Sequence, residues 1–445
     1  MVSGEDRGLR RPVCTSQAEP TIVPRRLKTP RHRRLRDRLA RQVVLHLLGA
    51  LHDGALAIAE NGTRREFGEV VGGPPVPEIT VRSPAAWTAV ASGGSSGLGR
   101  GFFSGWWTVE ELDDLVMAIR VIIRNLDASE RPQRAMHALV APVLWARVRF
   151  LERLGRHAAD RRNIRAHYDL GNEFFSLFLD KTMTYSCALF DTEQESLDEA
   201  QEAKLDRLCR KLELTPHDHV LEIGTGWGSF AVHAARKYGC RVTTTTLSRQ
   251  QFTFATEKIA QMGLADRVTV LLEDYRDLKG TYDKLVSIEM IEAVDWRQYG
   301  KFFVTCARLL KPDGLLALQA IVIADRYFHR AKQSRDFIKR YIFPGGCLPS
   351  VAAILEATSQ VSDLELLALD DIGPHYAETL RRWRAGLESH KSELAALGFD
   401  ETFHLLFDFY FCYCEAAFLE RRISDVQCLF SRSRWRAPAL GMRRG

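Results

Sequence analysis

The chain has 445 residues, 46% of them hydrophobic, which is enough apolar material for two or three packed domains and too much for a wholly disordered chain. The net charge of +6 is uneven: residues 1–41 carry twelve Lys/Arg against Glu5, Asp6, Glu19 and Asp37, so this arm is +8 and the remainder −2. Nine cysteines without a CxxC, Cys412 and Cys414 being the one close pair, match neither a zinc site nor a disulfide framework, so a reducing cytoplasm is the expected compartment. The longest apolar run, Val43 to Ala59, is broken by His46, His52 and Asp53, and no transmembrane span is expected. The arm also lacks the apolar core and cleavage site of a signal peptide, so export is not expected.

Residues 1–32 hold four prolines among arginines and no hydrophobic period, which predicts a disordered basic arm. From Arg33 to about Leu51, Leu35, Leu39, Val43, Val44 and Leu47 recur near helical spacing beside arginines. That pattern suits either a basic amphipathic helix on anionic lipid or a helix packed on its own domain. Residues 52–130 alternate short strand-like runs with turns before a helix at Asp113–Leu126, so 33–130 reads as a small α+β domain. Its glycine-rich segment, Gly93 to Gly105, is expected to form flexible turns. Asn61-Gly62-Thr63 matches a glycosylation acceptor that a cytoplasmic chain would leave unused. Residues 131–160 predict a helical connector, 161–435 the main domain, and 436–445 a tail.

The main domain alternates apolar strands with helices of 10–15 residues, predicting an α/β doubly wound, largely parallel sheet. Its most informative stretch is HVLEIGTGWGSF, His219 to Phe230. A strand ends there in Gly224, Gly226 and Gly228 and a helix follows, the arrangement that lets a nucleotide-like ligand approach the backbone at a positively polarised helix start. The spacing is G-x-G-x-G, and the second strand ends at Thr243 to Ser248 without a carboxylate. Both features disfavour a dinucleotide, which wants G-x-G-x-x-G and an acid about 20 residues on. Asp274, after the third strand, is placed to meet an adenine edge, as in S-adenosylmethionine enzymes.

Further stretches carry a closer likeness: His167 to Asn172 (HYDLGN), Met183 to Ala188 (MTYSCA), EIGTGWGSF, Thr246 to Gln251 (TLSRQQ), Ser287 to Val294 (SIEMIEAV), YIFPGGCLPS from Tyr341, and Ile372 to Arg384 (IGPHYAETLRRWR). Residues 160–432 resemble the cyclopropane-fatty-acyl-phospholipid synthase family, and 52–130 more loosely resemble the small N-terminal lipid-binding domain of its longer members. The resemblance implies a class I methyltransferase sheet with helical insertions that moves a methylene from S-adenosylmethionine onto the double bond of an unsaturated phospholipid chain. It also implies peripheral association with a membrane surface, with no nucleic-acid partner and with a homodimer left open.

Alkylating an isolated alkene leaves a carbocation, so the site must be dry and walled by groups that stabilise positive charge without attacking it. Tyr168, Phe174, Phe175, Tyr185, Phe343 and Tyr410 are the candidate aromatic faces. Ring closure further needs a base for a proton of the added methyl. The resemblance implies bicarbonate in that role, held by Cys187, Glu292 and Tyr376 with backbone from Ile321, Glu292 keeping it basic. Gln319 stands where many members have histidine; an amide can bond the ion but cannot titrate. Glu289 ranks below Glu292 and is expected toward the methionine end. For the cofactor, Tyr185 and Ser186 would meet the methionine part and Glu222, Gly224, Gly226 and Gly228 its carboxyl side. Thr246, Ser248 and Gln251 would hold the ribose, and Asp274 with Tyr275 the adenine. Alternatives to ring formation are a methyl-branched product, methylation of a sphingolipid base, or a non-catalytic lipid-binding homologue.

Overall fold

The computed structural model describes residues 31–69, 75–126 and 170–437. Residues 1–30 of the expected arm, the expected connector, Tyr168 with the start of its motif, and residues 438–445 lie outside these. The first helix, α1 (Arg31–Leu48), buries Ala40 and Val44 while leaving Leu35 and Leu39 61% and 48% exposed. Asp37 accepts from Thr88 Oγ1 at 2.5 Å and Arg41 Nε donates to Glu60 at 2.6 Å, which pins this helix to the layer beneath.

That layer is a sheet in the order β2-β1-β3-β4, formed by β1 (Gly54–Glu60), β2 (Thr63–Glu69), β3 (Glu78–Val81) and β4 (Trp107–Thr108). Asn61 and Gly62, both at positive φ (51° and 76°), are the two-residue turn that pairs Glu60 with Thr63. The glycine-rich segment is not a run of flexible turns. It is α2 (Ala85–Phe103), kinked at Gly94, where φ is 52° and ψ −132°. Tertiary packing overrides the low helix propensity of glycine here. A Cβ at Gly99 would lie 2.4 Å from the Phe337 ring, and one at Gly101 2.6 Å from the Trp107 indole nitrogen.

Beyond α3 (Leu112–Leu126) and α4 (Asn172–Ser176), α5 (Leu197–Lys211) starts at a Ser196–Glu199 capping box that satisfies donors of its first turn. The main sheet has seven strands in the order β10-β11-β9-β8-β5-β6-β7. They are β5 (His219–Ile223), β6 (Arg241–Thr245), β7 (Val268–Leu271), β8 (Tyr282–Ile288), β9 (Leu310–Ile323), β10 (Glu365–Asp371) and β11 (Ile423–Ser431). Strands β5 to β9 are parallel and β11 is antiparallel to both neighbours. The expected doubly wound sheet is therefore present, its strands apolar because helices cover both faces. The crossovers include α6 (Ser229–Tyr238), α7 (Arg249–Gln261), α8 (Tyr299–Leu309), α9 (Asp325–Ala331) and α10 (Val351–Val361).

Between β10 and β11 the chain inserts α11 (Gly373–Ser389), α12 (Lys391–Ala396) and the phenylalanine-rich α13 (Glu401–Leu419). One hydrophobic core runs from the N-terminal layer through this insertion. Phe409 of α13 meets Phe102 of α2 at 5.9 Å and Phe337 at 4.7 Å, centroid to centroid. Arg120 and Arg124 of α3 both bond Glu420, at 2.7 and 2.8 Å. The insertion thus stands as a wall over the carboxyl ends of β5, β8 and β9, where chain order reverses and open α/β sheets bind ligands.

Candidate active site

The apolar strand β5 ends with Gly224, Gly226 and Gly228 at φ of 104°, 52° and 82°, a sequence of left-handed turns open only to glycine. A Cβ on Gly224 would touch Met290 at 3.3 Å, whereas Gly226 faces open space. Gly228 caps α6, so amides of that helix start point at the crevice. Glu222 is buried, its Oε2 has no hydrogen-bond partner among the described residues, and burial pushes its carboxyl up to about 8.

At the end of β6, Thr246 Oγ1 donates to Gln251 Oε1 at 2.8 Å and Ser248 caps α7 by accepting from the Gln251 amide at 3.3 Å. Asp274 accepts from the Arg276 amide and Nε at 2.9 and 2.8 Å, and this guanidinium holds its carboxyl below the usual range. Tyr275 stands edge-on to Phe302 at 5.7 Å. Glycine crest, unpartnered Glu222 oxygen and polar strand ends fit an S-adenosylmethionine bound across β5, β6 and β7.

On the other side of the crest, strand register assembles a polar cluster. Ile288 pairs with Gln319, Gln427 with Gln319, and Asp425 with Ile321. Glu289 follows β8 directly at φ 48°, unusual for a residue with a Cβ and costing about 1 kcal/mol or more. Its carboxylate is the hub of the site. Oε1 accepts from the Cys187 amide at 2.8 Å and Gln319 Nε2 at 2.9 Å, and Oε2 from the Tyr376 hydroxyl at 2.6 Å. Gln319 Nε2 also reaches Asp425 Oδ2 at 2.8 Å, and Gln319 Oε1 accepts from Gln427 Nε2 at 3.1 Å.

Glu292 is held separately. Its Oε1 accepts from the Ile321 amide at 2.5 Å, its Oε2 has no partner among the described residues, and burial next to the Glu289 charge pushes it up to about 8. The Cys187 thiol points away, toward the Ala188 and Ile372 carbonyls at 3.2 and 3.7 Å, and burial raises it well above the usual thiol range. The donors expected to hold bicarbonate therefore do not converge on free space. The Cys187 amide, Gln319 and Tyr376 converge on Glu289, and the Ile321 amide is taken by Glu292. Among the described residues a further anion would lack donors and would face Glu289, Glu292 and Asp425, so bicarbonate does not fit this donor set.

Four of the expected aromatic faces meet. Tyr185 lies 5.3 Å from Phe175 and 6.5 Å from Phe343, Phe343 is 6.2 Å from Tyr410, and the Tyr185 and Tyr410 hydroxyls bond at 3.0 Å. Trp383 links this wall to the carboxylates, 5.0 Å from Tyr185 and 6.0 Å from Tyr376. Phe174 instead belongs to the deep core beside Phe407, at 4.8 Å.

Three polar residues escaped the sequence reading: Lys204, Asp425 and Gln427, all fully buried. Lys204 Nζ donates to Ser186 Oγ at 2.7 Å, and its charge favours ionisation of Glu289 and Asp425. Burial and the Glu289 charge push the Asp425 carboxyl well up. The available signal was the spacing of Asp425 and Gln427, two positions apart in one strand, which puts both on one face.

Comparison with known proteins agrees with this architecture. The family described as mycolic acid cyclopropane synthetase matches residues 156–428. Tuberculostearic acid methyltransferase UfaA1 of Mycobacterium tuberculosis is 38% identical over 357 residues, 78% of this chain and 81% of that protein. Cyclopropane-fatty-acyl-phospholipid synthase of Escherichia coli is 34% identical over 370 residues, 82% of this chain and 90% of that one. Mycolic acid cyclopropane synthase CmaA1, solved with SAH and CTAB, superposes with a TM-score of 0.55 at 33% identity, covering 61% of this chain and 97% of that one. With the glycine crest, the seven-stranded sheet and a family match over more than half its length, the chain belongs to the mycolic acid cyclopropane synthetase family and is an S-adenosylmethionine-dependent methyltransferase.

Proposed function

We propose that this protein alkylates the double bond of an unsaturated phospholipid acyl chain at a membrane surface and closes a cyclopropane ring. The observation that carries the reading is an aromatic wall beside a hydrogen-bonded carboxylate. The first can stabilise a carbocation without trapping it and the second can take its proton. S-adenosylmethionine supplies an electrophilic sulfonium methyl. The chain's own part is to hold the cofactor on the glycine crest, exclude water with Phe175, Tyr185, Phe343 and Tyr410, and position a base. Relatives named as a cyclopropane-fatty-acyl-phospholipid synthase and a tuberculostearic acid methyltransferase support a lipid acyl substrate.

Incubating the protein with unsaturated phospholipid vesicles and methyl-labelled cofactor tests this. The expected result is label in released acyl chains that have become resistant to ozonolysis. Absence of label from lipid would sink the reading and favour a binding homologue. A methyl-branched product is the second reading, favoured by Gln319 and by the name of the tuberculostearic acid relative. A saturated branch additionally needs a two-electron reductant, so label in a saturated branched chain only when a reductant is supplied would select it.

Docking to the membrane is assigned to α1. Leu35 and Leu39 protrude beside exposed Arg36 and Arg38, while the opposite face packs on α2. Vesicle binding should weaken with salt and with the double change Leu35→Gln/Leu39→Gln; binding unaffected by both would remove this helix from the interface. Among the described residues no helix is long and apolar enough to cross a membrane.

A further inference from the structure

We propose that Glu289 is a built-in base that replaces bicarbonate, receiving on its own carboxylate the proton lost from the added methyl group. The inference rests on the alkylation reading above, but its central observation is independent of substrate. The Cys187 amide, the Gln319 amide group and the Tyr376 hydroxyl, three donors aimed at one spot from three elements, are all satisfied by the two oxygens of Glu289, at 2.8, 2.9 and 2.6 Å. An anion held by those donors would have to occupy the same volume.

Two further features support the assignment. Glu289 adopts φ 48°, a conformation that glycine takes freely, so a strained backbone is maintained with a carboxylate on it. It also adjoins the methyl-donor crest, because its neighbour Met290 is the group a Cβ on Gly224 would touch at 3.3 Å. Glu289 is half-buried as a residue, whereas Asp425 is fully buried. Enclosure raises its proton affinity on balance, as a base requires, while Tyr376, the Cys187 amide, Lys204 and Gln319 pull the other way.

The steps balance. The alkene pair forms a carbon–carbon bond to the methyl as the sulfur–carbon bond breaks, leaving neutral thioether and a cationic carbon on the chain. A C–H bond of the new methyl then breaks, its electron pair closes the ring on the cationic carbon, and the proton passes to Glu289. That proton returns to solvent before the next turnover. Gln319 titrates nowhere in this scheme; its amide bridges Glu289 to Asp425 and fixes the orientation of the base.

The test compares wild type, Glu289→Gly and Glu289→Gln in carbonate-free buffer and with added bicarbonate. Wild-type turnover should be the same within about twofold in both. Glu289→Gly relieves the left-handed strain and opens the donor set, so it should lose at least about a hundredfold and regain part of it with bicarbonate. Glu289→Gln keeps the volume filled and should stay inactive in both. Binding of ¹³C-bicarbonate, followed by NMR, reads the same point without substrate: Glu289→Gly should bind and wild type should not. Wild-type turnover that falls on carbonate removal, or wild-type binding of the labelled ion, overturns the proposal even if Glu289→Gly does not fold. If no lipid is methylated by any form, the function reading fails, while the NMR result still decides whether Glu289 fills the anion site.

Discussion

Replacing Tyr376 by Phe removes one oxygen and leaves the packing intact. The ring stacks on Phe418 at 4.4 Å and 24° and stands edge-on to Trp383 at 6.0 Å, contacts a phenylalanine keeps. What disappears is a 2.6 Å hydrogen bond to Glu289 Oε2. A hydrogen bond to a charged group is worth about 1.5–3 kcal/mol. If it stabilises the ionised base, turnover near neutral pH should fall about ten- to hundredfold, since 1.36 kcal/mol is a factor of ten. The loss should depend on pH. Tyr376 pulls the Glu289 carboxyl down, so its removal raises it, and the acid limb of the rate profile moves to higher pH. Lys204, Asp425, Glu292 and Cys187 also face this group and remain in the variant, so direction and shape of the profile are attributable to the hydroxyl. The assay is product formation across pH, with cofactor affinity measured by calorimetry and expected to change less than about twofold because the crest is untouched. An equal loss at every pH, or collapse of cofactor binding, would refute the reasoning.

Other residues offer tests of different links. Gly99→Ala puts a methyl 2.4 Å from Phe337 and 2.9 Å from Phe409, so it should destabilise by about 1–3 kcal/mol in urea unfolding, and an unchanged midpoint would contradict a shared core. Glu292, pushed up to about 8, keeps its proton when folded at pH values where the unfolded chain has released it. Its contribution therefore falls as pH rises from the ordinary carboxylate range toward 8, and Glu292→Gln should flatten that decline in a pH series of melting temperatures. Lys204→Met removes the ammonium that favours the ionised forms of Glu289 and Asp425, and removing one partner of a buried charge set costs about 3–5 kcal/mol. A lower melting temperature and an acid limb moved to higher pH are expected; an unchanged profile would disconnect this lysine from the base.

Much of the fold was legible because its signals are local. Apolar strands at regular spacing with intervening helices announce a parallel sheet, and a glycine crest after the first strand announces a phosphate- or sulfonium-type ligand. The segment from Gly93 to Gly105 was misread because its glycines answer a tertiary demand: Phe337, Phe409 and Trp107 approach too closely for any side chain, and packing outweighs propensity.

At the active site the sequence by itself determined which residue types were available, and its resemblance to the cyclopropane-fatty-acyl-phospholipid synthase family implied that Cys187, Glu292, Gln319, Ile321 and Tyr376 belong together. It could not decide which carboxylate stands at the centre. Glu289 and Glu292 are three positions apart, and what separates them is a single left-handed residue at the end of β8 together with the registers of β9 and β11. Only the tertiary structure brings Lys204 and Asp425 to the same spot, because hydrogen bonds and charges act over a few ångströms of space and take no account of distance along the chain.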